Sequence, residues 1–110
     1  MRKAKVLYKG EGAGVLSQND NGTFLFQYND LWMRDNDKPA ISLTLPKSIQ
    51  EFHSDYLFPF FYNLLPEGSN KMVVCKYKQI DENDHFGLLL SAAQYDTIGA
   101  VTVHEMQESV

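Results

Sequence analysis

The stretch from Tyr56 to Leu65 constrains the fold most, because every residue in it except Pro59 and Asn63 is apolar. The ring of Pro59 would clash with a helical carbonyl four residues earlier, so the pattern predicts a helix that begins near Phe58. Such a helix is hydrophobic around nearly its whole circumference. In a domain of 110 residues a single sheet covers only one side of it. Two alternatives stay open: a fully buried central helix, or a helix that shares its surface with another chain.

Ahead of this helix, apolar and polar residues alternate with the period of two that is typical of strands. Glycines at 10, 12 and 14 and the segment Asn19–Gly22 predict tight turns. Because turns this short leave no room for a parallel crossover, the strands are predicted to be largely antiparallel. The predicted strands cover residues 3–9, a short segment around Val15 and Leu16, residues 24–28, and Ile41–Leu45.

After the apolar stretch, the pattern predicts two more helices and a last strand. Residues 70–78 form one helix, with Met72, Val73 and Cys75, and at its end Tyr77, toward the core. Acidic capping residues at 81–84 begin the next helix, which carries Phe86, Leu88, Leu89 and Leu90. The strand follows at 98–103. The expected fold is therefore α+β, an antiparallel sheet of about five strands with three helices packed on one side. One domain covers 1–104, and 105–110 form a polar tail.

Charge and cysteine content exclude several classes of function. The formal charge of −4 and the pI near 5.2 argue against direct contact with nucleic acid, which requires a basic face. The single cysteine, Cys75, cannot form an internal disulfide. No stretch reaches the roughly 20 apolar residues that a membrane span requires, and the N-terminus has no apolar core of a signal peptide. We therefore expect a cytoplasmic protein without a membrane association.

Residues capable of catalysis are scattered along the sequence. His53, His85 and His104 lie far apart and have no metal-ligand spacing on one element. The acidic cluster at 81–84 lacks the spacing and the glycine of a calcium loop, and helix capping accounts for it better. Cys75 falls on an apolar stripe without an activating motif. We predict no catalytic residue, no cofactor and no metal site, and hence a protein that is not an enzyme.

Five motifs in order resemble one known family, the N-terminal subdomain of HipA-type serine/threonine kinase toxins. The resemblance covers residues 3 to about 104, and the segment Asn63–Gly68 is its most specific part. The motifs are Asn21–Phe24 with Phe26–Tyr28, Trp32, Pro39–Pro46, Phe60–Gly68, and Phe86–Leu89 with Asp96–Val101.

This resemblance implies a partner. In the family, this subdomain precedes the kinase core, which binds ATP and performs catalysis. A free-standing copy resembles the HipS-like antitoxins of HipBST toxin–antitoxin modules, which implies a non-catalytic protein that binds and inhibits a separately encoded HipT/HipA-like kinase. It leaves open a ternary complex with a HipB-like helix-turn-helix protein. The alternative is a structural subunit that completes or stabilises a split kinase without inhibiting it.

The resemblance also implies which residues face the kinase. The turn after the apolar helix would point toward the nucleotide cleft. Many relatives have a bulky aromatic residue where this sequence has Ser69, which leaves wedging the kinase lobes apart as a route to inhibition. Trp32 could close the open end of the sheet or serve as a binding hot spot. The expected partner-binding residues are Trp32, Phe61, Leu65, Pro66, Glu67, Gly68, Ser69, Asn70 and Lys71.

Overall fold

A computed structural model describes residues 2–65, 72–73, 75–77, 79–81, 83–92 and 100–106. Five strands form one sheet in the order β4-β3-β2-β1-β5, and each neighbouring pair is antiparallel. The strands are β1 Arg2–Tyr8, β2 Glu11–Gln18, β3 Phe24–Tyr28, β4 Glu51–Ser54 and β5 Val101–Met106. The helices are α1 Asp30–Arg34, α2 Pro59–Tyr62 and α3 His85–Ala92, and residues 72–73 and 75–77 are also helical. The predicted α+β class with an antiparallel sheet of five strands is confirmed, with one helical segment more than predicted.

The β1–β2 hairpin closes through a two-residue turn. Lys9 and Gly10 both have positive φ angles, 50° and 84°, as a type I′ turn requires. This turn follows the right-handed twist of the strands, so Tyr8 pairs directly with Glu11. The next hairpin closes where the sequence predicted a turn, since the Gly22 N–H donates to the Asn19 carbonyl at 2.9 Å.

One face of the sheet supplies half of the core. Ala4, Leu16, Phe26 and Phe52 lie side by side across four strands. The first three are buried and Phe52 is half-buried at the edge. In the neighbouring row on the opposite face, Lys5 is exposed. The alternation seen in the sequence therefore assigned the two faces of the sheet correctly.

Helix α3 covers this face with Phe86, Leu88 and Leu89, all fully buried. Its start is fixed by Asp84, whose Oδ1 accepts a hydrogen bond from the Gly87 N–H at 3.1 Å, as an N-cap carboxylate does. The same oxygen accepts a hydrogen bond from Arg2 Nη1 at 2.8 Å. The acidic residues before α3 therefore act as a helix cap, as the sequence predicted.

The strand predicted at Ile41–Leu45 is wrong. This segment is a loop of turns, and the fourth strand is β4, ten residues later in the chain. Ile41 and Leu45 are buried as the alternation suggested, but Leu43 between them is 100% exposed. The loop is held from inside by the hydroxyl of Tyr28, which donates to the Leu45 carbonyl and accepts from the Ile41 N–H.

Replacing Tyr28 by phenylalanine is expected to lower the free energy of unfolding by about 1.5 kcal/mol, because the Ile41 N–H and the Leu45 carbonyl lose their partner in a buried position. Chemical denaturation measures this loss, and amide exchange at Ile41 should accelerate. Tyr56→Phe is the matched control, since Tyr56 is exposed. Equal stability of the two variants would contradict the role of the Tyr28 hydroxyl.

The Tyr28 side chain also makes the stability of the fold depend on pH. Burial raises the pKa of Tyr28 above its ordinary value of 10.0, against a smaller lowering by the hydrogen bond from Ile41. A phenol whose pKa is higher in the folded state stabilises the fold below pH 10.0 and loses that contribution as the pH rises further. Above that pH, the Tyr28→Phe variant should therefore lose stability less steeply than the natural chain.

The end of the chain also differs from the prediction. Strand β5 extends through Glu105 and Met106, which pair with Ala4 and Lys3 of β1. These two residues therefore belong to the sheet, although the sequence placed them in a polar tail. The first residues predicted for this strand, 98 and 99, lie outside the described residues, as do residues 107–110.

Candidate protein-docking surface

The apolar stretch Tyr56–Leu65 forms a shorter helix than predicted. Helix α2 has only four residues, with Pro59 in its first turn, and tighter turns continue to Leu65 through hydrogen bonds three residues apart. Phe61 is fully buried at its centre, and Leu65 is also buried. Tyr56 is exposed and Tyr62 is about half exposed. Most of the apolar surplus is therefore absorbed by the core, and two tyrosine side chains remain at the surface.

Three further exposed apolar residues lie on the following helical segment. Met72, Val73 and Tyr77 were predicted to face the core, but they are 72%, 64% and 82% exposed. Only Cys75 of the predicted inward residues packs against the core, where it is half-buried. The prediction for the other three is wrong, because apolar residues occur on more than one face of this segment and do not by themselves define the inner one.

The orientation of this helical segment is set by its C-terminal end. Gln79 has a φ of 56°, and the Ile80 N–H donates to the Cys75 carbonyl at 3.0 Å. This is the hydrogen bond of a Schellman motif, in which the residue after the left-handed position makes an apolar contact back to the helix. Ile80 packs against the core together with Cys75. These two residues hold one side of the helix inward and turn the opposite side outward.

Gln79→Gly is expected to raise the free energy of unfolding by about 0.5 to 1 kcal/mol, because glycine adopts the left-handed conformation without the steric cost of a side chain. Thermal or urea denaturation measures the change. Gln79→Ala is the matched control, since alanine also removes the glutamine side chain but keeps the strain of a positive φ angle. A destabilised glycine variant would contradict the assigned helix end.

Val73, Lys76 and Tyr77 line a shallow depression of about 410 Å³ on the outward side. They are spaced three and four residues apart, so they lie on one face of a helix. The sequence from 71 to 78 contains three lysines and no acidic residue, in a chain whose net charge is −4. We call Met72, Val73, Lys76 and Tyr77 the outer helix face. It combines apolar area with positive charge.

A second depression, of about 260 Å³, is lined by charged side chains together with the rings of Tyr8 and Trp32. Here Lys38 forms an ion pair with Glu11 and its ammonium group lies 5.5 Å from the centre of the Trp32 ring. The hydrogen bond that Lys38 donates to the Glu11 carboxylate raises the pKa of Lys38. The Lys38 ammonium group already has Glu11 and the Trp32 ring as partners, which makes this depression a weaker docking candidate than the outer helix face.

The residues predicted to bind a partner do not form one exposed surface in the described part of the chain. Trp32 is 4% exposed, and its indole N–H donates to the Pro39 carbonyl at 2.9 Å, so it closes the end of the core. Phe61 and Leu65 are buried. Residues 66–71 lie outside the described residues. The outer helix face was not predicted as a surface, although the lysines around its apolar residues were a signal for exposure.

No arrangement for catalysis appears among the described residues. His53 lies beside Glu51, His85 contacts the ring of Tyr62, and His104 contacts Thr102. In the described ranges no three metal-ligating side chains come together. Among the same residues no helix has the length and apolar content to cross a bilayer.

Comparison with known proteins places the chain in one family. The family model described as the HipA N-terminal domain matches residues 4–104. A solved structure described as the N-terminal domain of HipA toxin superposes with a TM-score of 0.72 at 33% identity, covering 99% of this chain and 96% of that one. The resemblance inferred from the sequence motifs is confirmed.

Three relatives show this segment in two settings. An uncharacterized protein of Haemophilus influenzae is 37% identical over 108 residues, which are 98% of this chain and 96% of the relative. The putative kinases Y4mE and Y4dM of Sinorhizobium fredii are 30% and 33% identical, over 81% and 86% of this chain. The chain spans only 21% and 24% of those two kinases.

Proposed function

Because the chain belongs to the HipA N-terminal domain family, we propose that it is a non-catalytic antitoxin that binds a separately encoded HipA/HipT-like serine/threonine kinase and inhibits it. The observation that carries the proposal is the outer helix face, where three large apolar side chains are exposed on a helix that is anchored from behind. Exposed apolar patches of this kind on a small domain mark contact surfaces.

The relatives support the choice of a kinase as the partner. In the putative kinases Y4mE and Y4dM, a segment similar to this chain makes up about a quarter of the protein or less, and the rest is additional sequence. The Haemophilus influenzae relative consists almost entirely of the segment. A domain that packs on a kinase within one chain can keep the complementary surface when the two are encoded separately. This arrangement in the relatives supports a kinase as the partner.

The partner also sets the cellular context of the proposal. A kinase that acts on cytoplasmic substrates places the complex in the cytoplasm, in keeping with a chain that has a single cysteine. Any contact with DNA would come from a third, HipB-like component. The net charge of −4 on this chain disfavours direct contact with phosphate groups.

The test uses the purified chain and the HipA-like kinase encoded nearest to it in the source genome. Increasing amounts of the chain are added to the kinase, and autophosphorylation is measured together with binding by calorimetry. The expected result is a loss of kinase activity that is complete near one equivalent of chain. Full kinase activity at saturating, demonstrably bound chain would refute inhibition.

A second function is favoured by the two putative kinases that carry a similar segment within one longer chain. In this alternative, the chain completes or stabilises a split kinase without inhibiting it. The same titration distinguishes the two functions, because a completing subunit would raise the activity, the yield or the melting temperature of the kinase without blocking phosphorylation.

A further inference from the structure

The outer helix face has the geometry of a helix that inserts into a groove. Val73 and Tyr77 are one helical turn apart and Lys76 is adjacent on the same side, whereas Cys75 points to the core from the opposite side. Amphipathic helices bound in grooves use anchors at this spacing. Tyrosine is among the residues most often found as binding hot spots, and methionine adapts its shape to irregular apolar surfaces.

The charge of the segment indicates what surrounds such a groove. Three lysines between residues 71 and 78, without an acidic residue, make this segment positive in a chain that is negative as a whole. Lys76 is exposed beside the apolar anchors. Interfaces place opposite charges against each other at their rims, which steers association and excludes wrong partners.

We infer that the outer helix face docks into an apolar groove of the kinase chain whose rim carries carboxylate side chains. This inference rests on the proposed function and specifies the partner's surface. A membrane surface is a less suitable partner for a basic amphipathic segment here, because the described helix is short and the net charge of −4 would be repelled by anionic lipid.

The experiment measures the affinity of the complete chain for the kinase at low and at high salt. Lys76→Glu should weaken binding about tenfold at low salt, and the loss should shrink at high salt because screening reduces rim interactions. Tyr77→Ala should weaken binding about 30-fold at both salt concentrations, since it removes an apolar anchor. Circular dichroism and melting curves verify that both variants fold.

Two matched variants control for charge and for apolar area. Lys5→Glu makes the same change of net charge on the exposed face of the sheet, and Leu43→Ala removes an exposed apolar side chain from the loop before β4. Both should change the affinity less than twofold. If the kinase binds the Lys76 and Tyr77 variants as tightly as the natural chain, the inferred groove is wrong while the proposed function stands.

Three other outcomes also decide the question. No binding of the natural chain to the kinase would overturn the proposed function itself. Tighter binding of Lys76→Glu would show a basic rim and overturn the inferred carboxylates. Binding to vesicles of anionic phospholipid that Lys76→Glu abolishes, with no effect of this variant on kinase binding, would assign the outer helix face to a membrane and overturn the inference.

Discussion

Phe61→Ala is expected to lower the free energy of unfolding by about 4 kcal/mol, close to the whole stability of many domains of this size. The Phe61 side chain is fully buried and lies at the meeting point of α2 and the sheet. Its ring centre is 5.7 Å from that of Phe26 on β3, and 5.2 Å and 6.3 Å from those of Phe60 and Phe58. Removing it leaves a cavity among aromatic rings that cannot collapse freely. Urea denaturation followed by circular dichroism measures the loss.

Tyr62→Ala, one residue further along α2, is the matched control. Its side chain is about half exposed, so we expect a loss below about 1 kcal/mol. The comparison also decides the role of Phe61, which the sequence analysis placed in the partner-binding set. If Phe61→Ala weakens kinase binding only in proportion to its unfolded fraction, the residue belongs to the core. A stable Phe61→Ala variant that fails to bind would restore its place in the interface.

The hairpins could be predicted from the sequence because their signals are local. Alternation over a few residues identifies the buried face of a strand, and Gly10 and Gly22 adopt the positive φ angles of the turns with little help from the rest of the chain. Gly12 and Gly14, which were predicted to belong to the first turn, lie in β2. Ala4, Val6 and Phe26 are accordingly buried where the pattern placed them. The cap of α3 was predictable for the same reason, since Asp84 bonds to a backbone group only three residues away.

The loop at Ile41–Leu45 could not be distinguished from a strand, because its inward residues are held by a distant group. Ile41 and Leu45 are two inward residues of an alternating pattern, but their backbone is bonded to the Tyr28 hydroxyl and not to a neighbouring strand. The true edge strand β4 has only Phe52 as an apolar residue, so it carries no alternation to detect. The pairing of β4 depends on its register against β3, and the residues of β4 alone do not specify that register.

The surplus of apolar residues did not reveal which of them the fold leaves exposed. Two alternatives were open for Tyr56–Leu65, a buried central helix or a helix shared with another chain, and the core absorbs most of its apolar residues. Met72, Val73 and Tyr77 on the next helical segment are exposed, although they were predicted to face the core. The direction of that segment depends on the left-handed Gln79 and on the anchor at Ile80. A helix end of this kind is usually marked by glycine, and here the left-handed position is taken by Gln79. The pattern of apolar residues therefore could not predict it.

Gly14 lies in a crowded part of the sheet. It pairs with Val6 of β1 and with Tyr28 of β3, so both edges of its strand are occupied. A Cβ atom at this position would lie 2.5 Å from the Gln27 carbonyl oxygen and 2.9 Å from two atoms of the Phe26 ring. The first of these neighbours is backbone and cannot move without breaking the pairing of β2 with β3. The missing side chain is therefore what allows the Phe26 ring to lie over the strand.

Gly14→Ala is consequently expected to lower the free energy of unfolding by about 3 kcal/mol, even though alanine reduces the freedom of the unfolded chain and thereby favours folding slightly. Urea denaturation measures the loss. Gly12→Ala is the matched control, because a Cβ there meets only the side-chain nitrogen of Asn29, at 3.3 Å, and a side chain can move aside. Its loss should stay below about 1 kcal/mol. Equal losses at the two glycines would mean that β2 and β3 can separate to admit a methyl group, in which case the Phe26 ring does not pack against the strand as described.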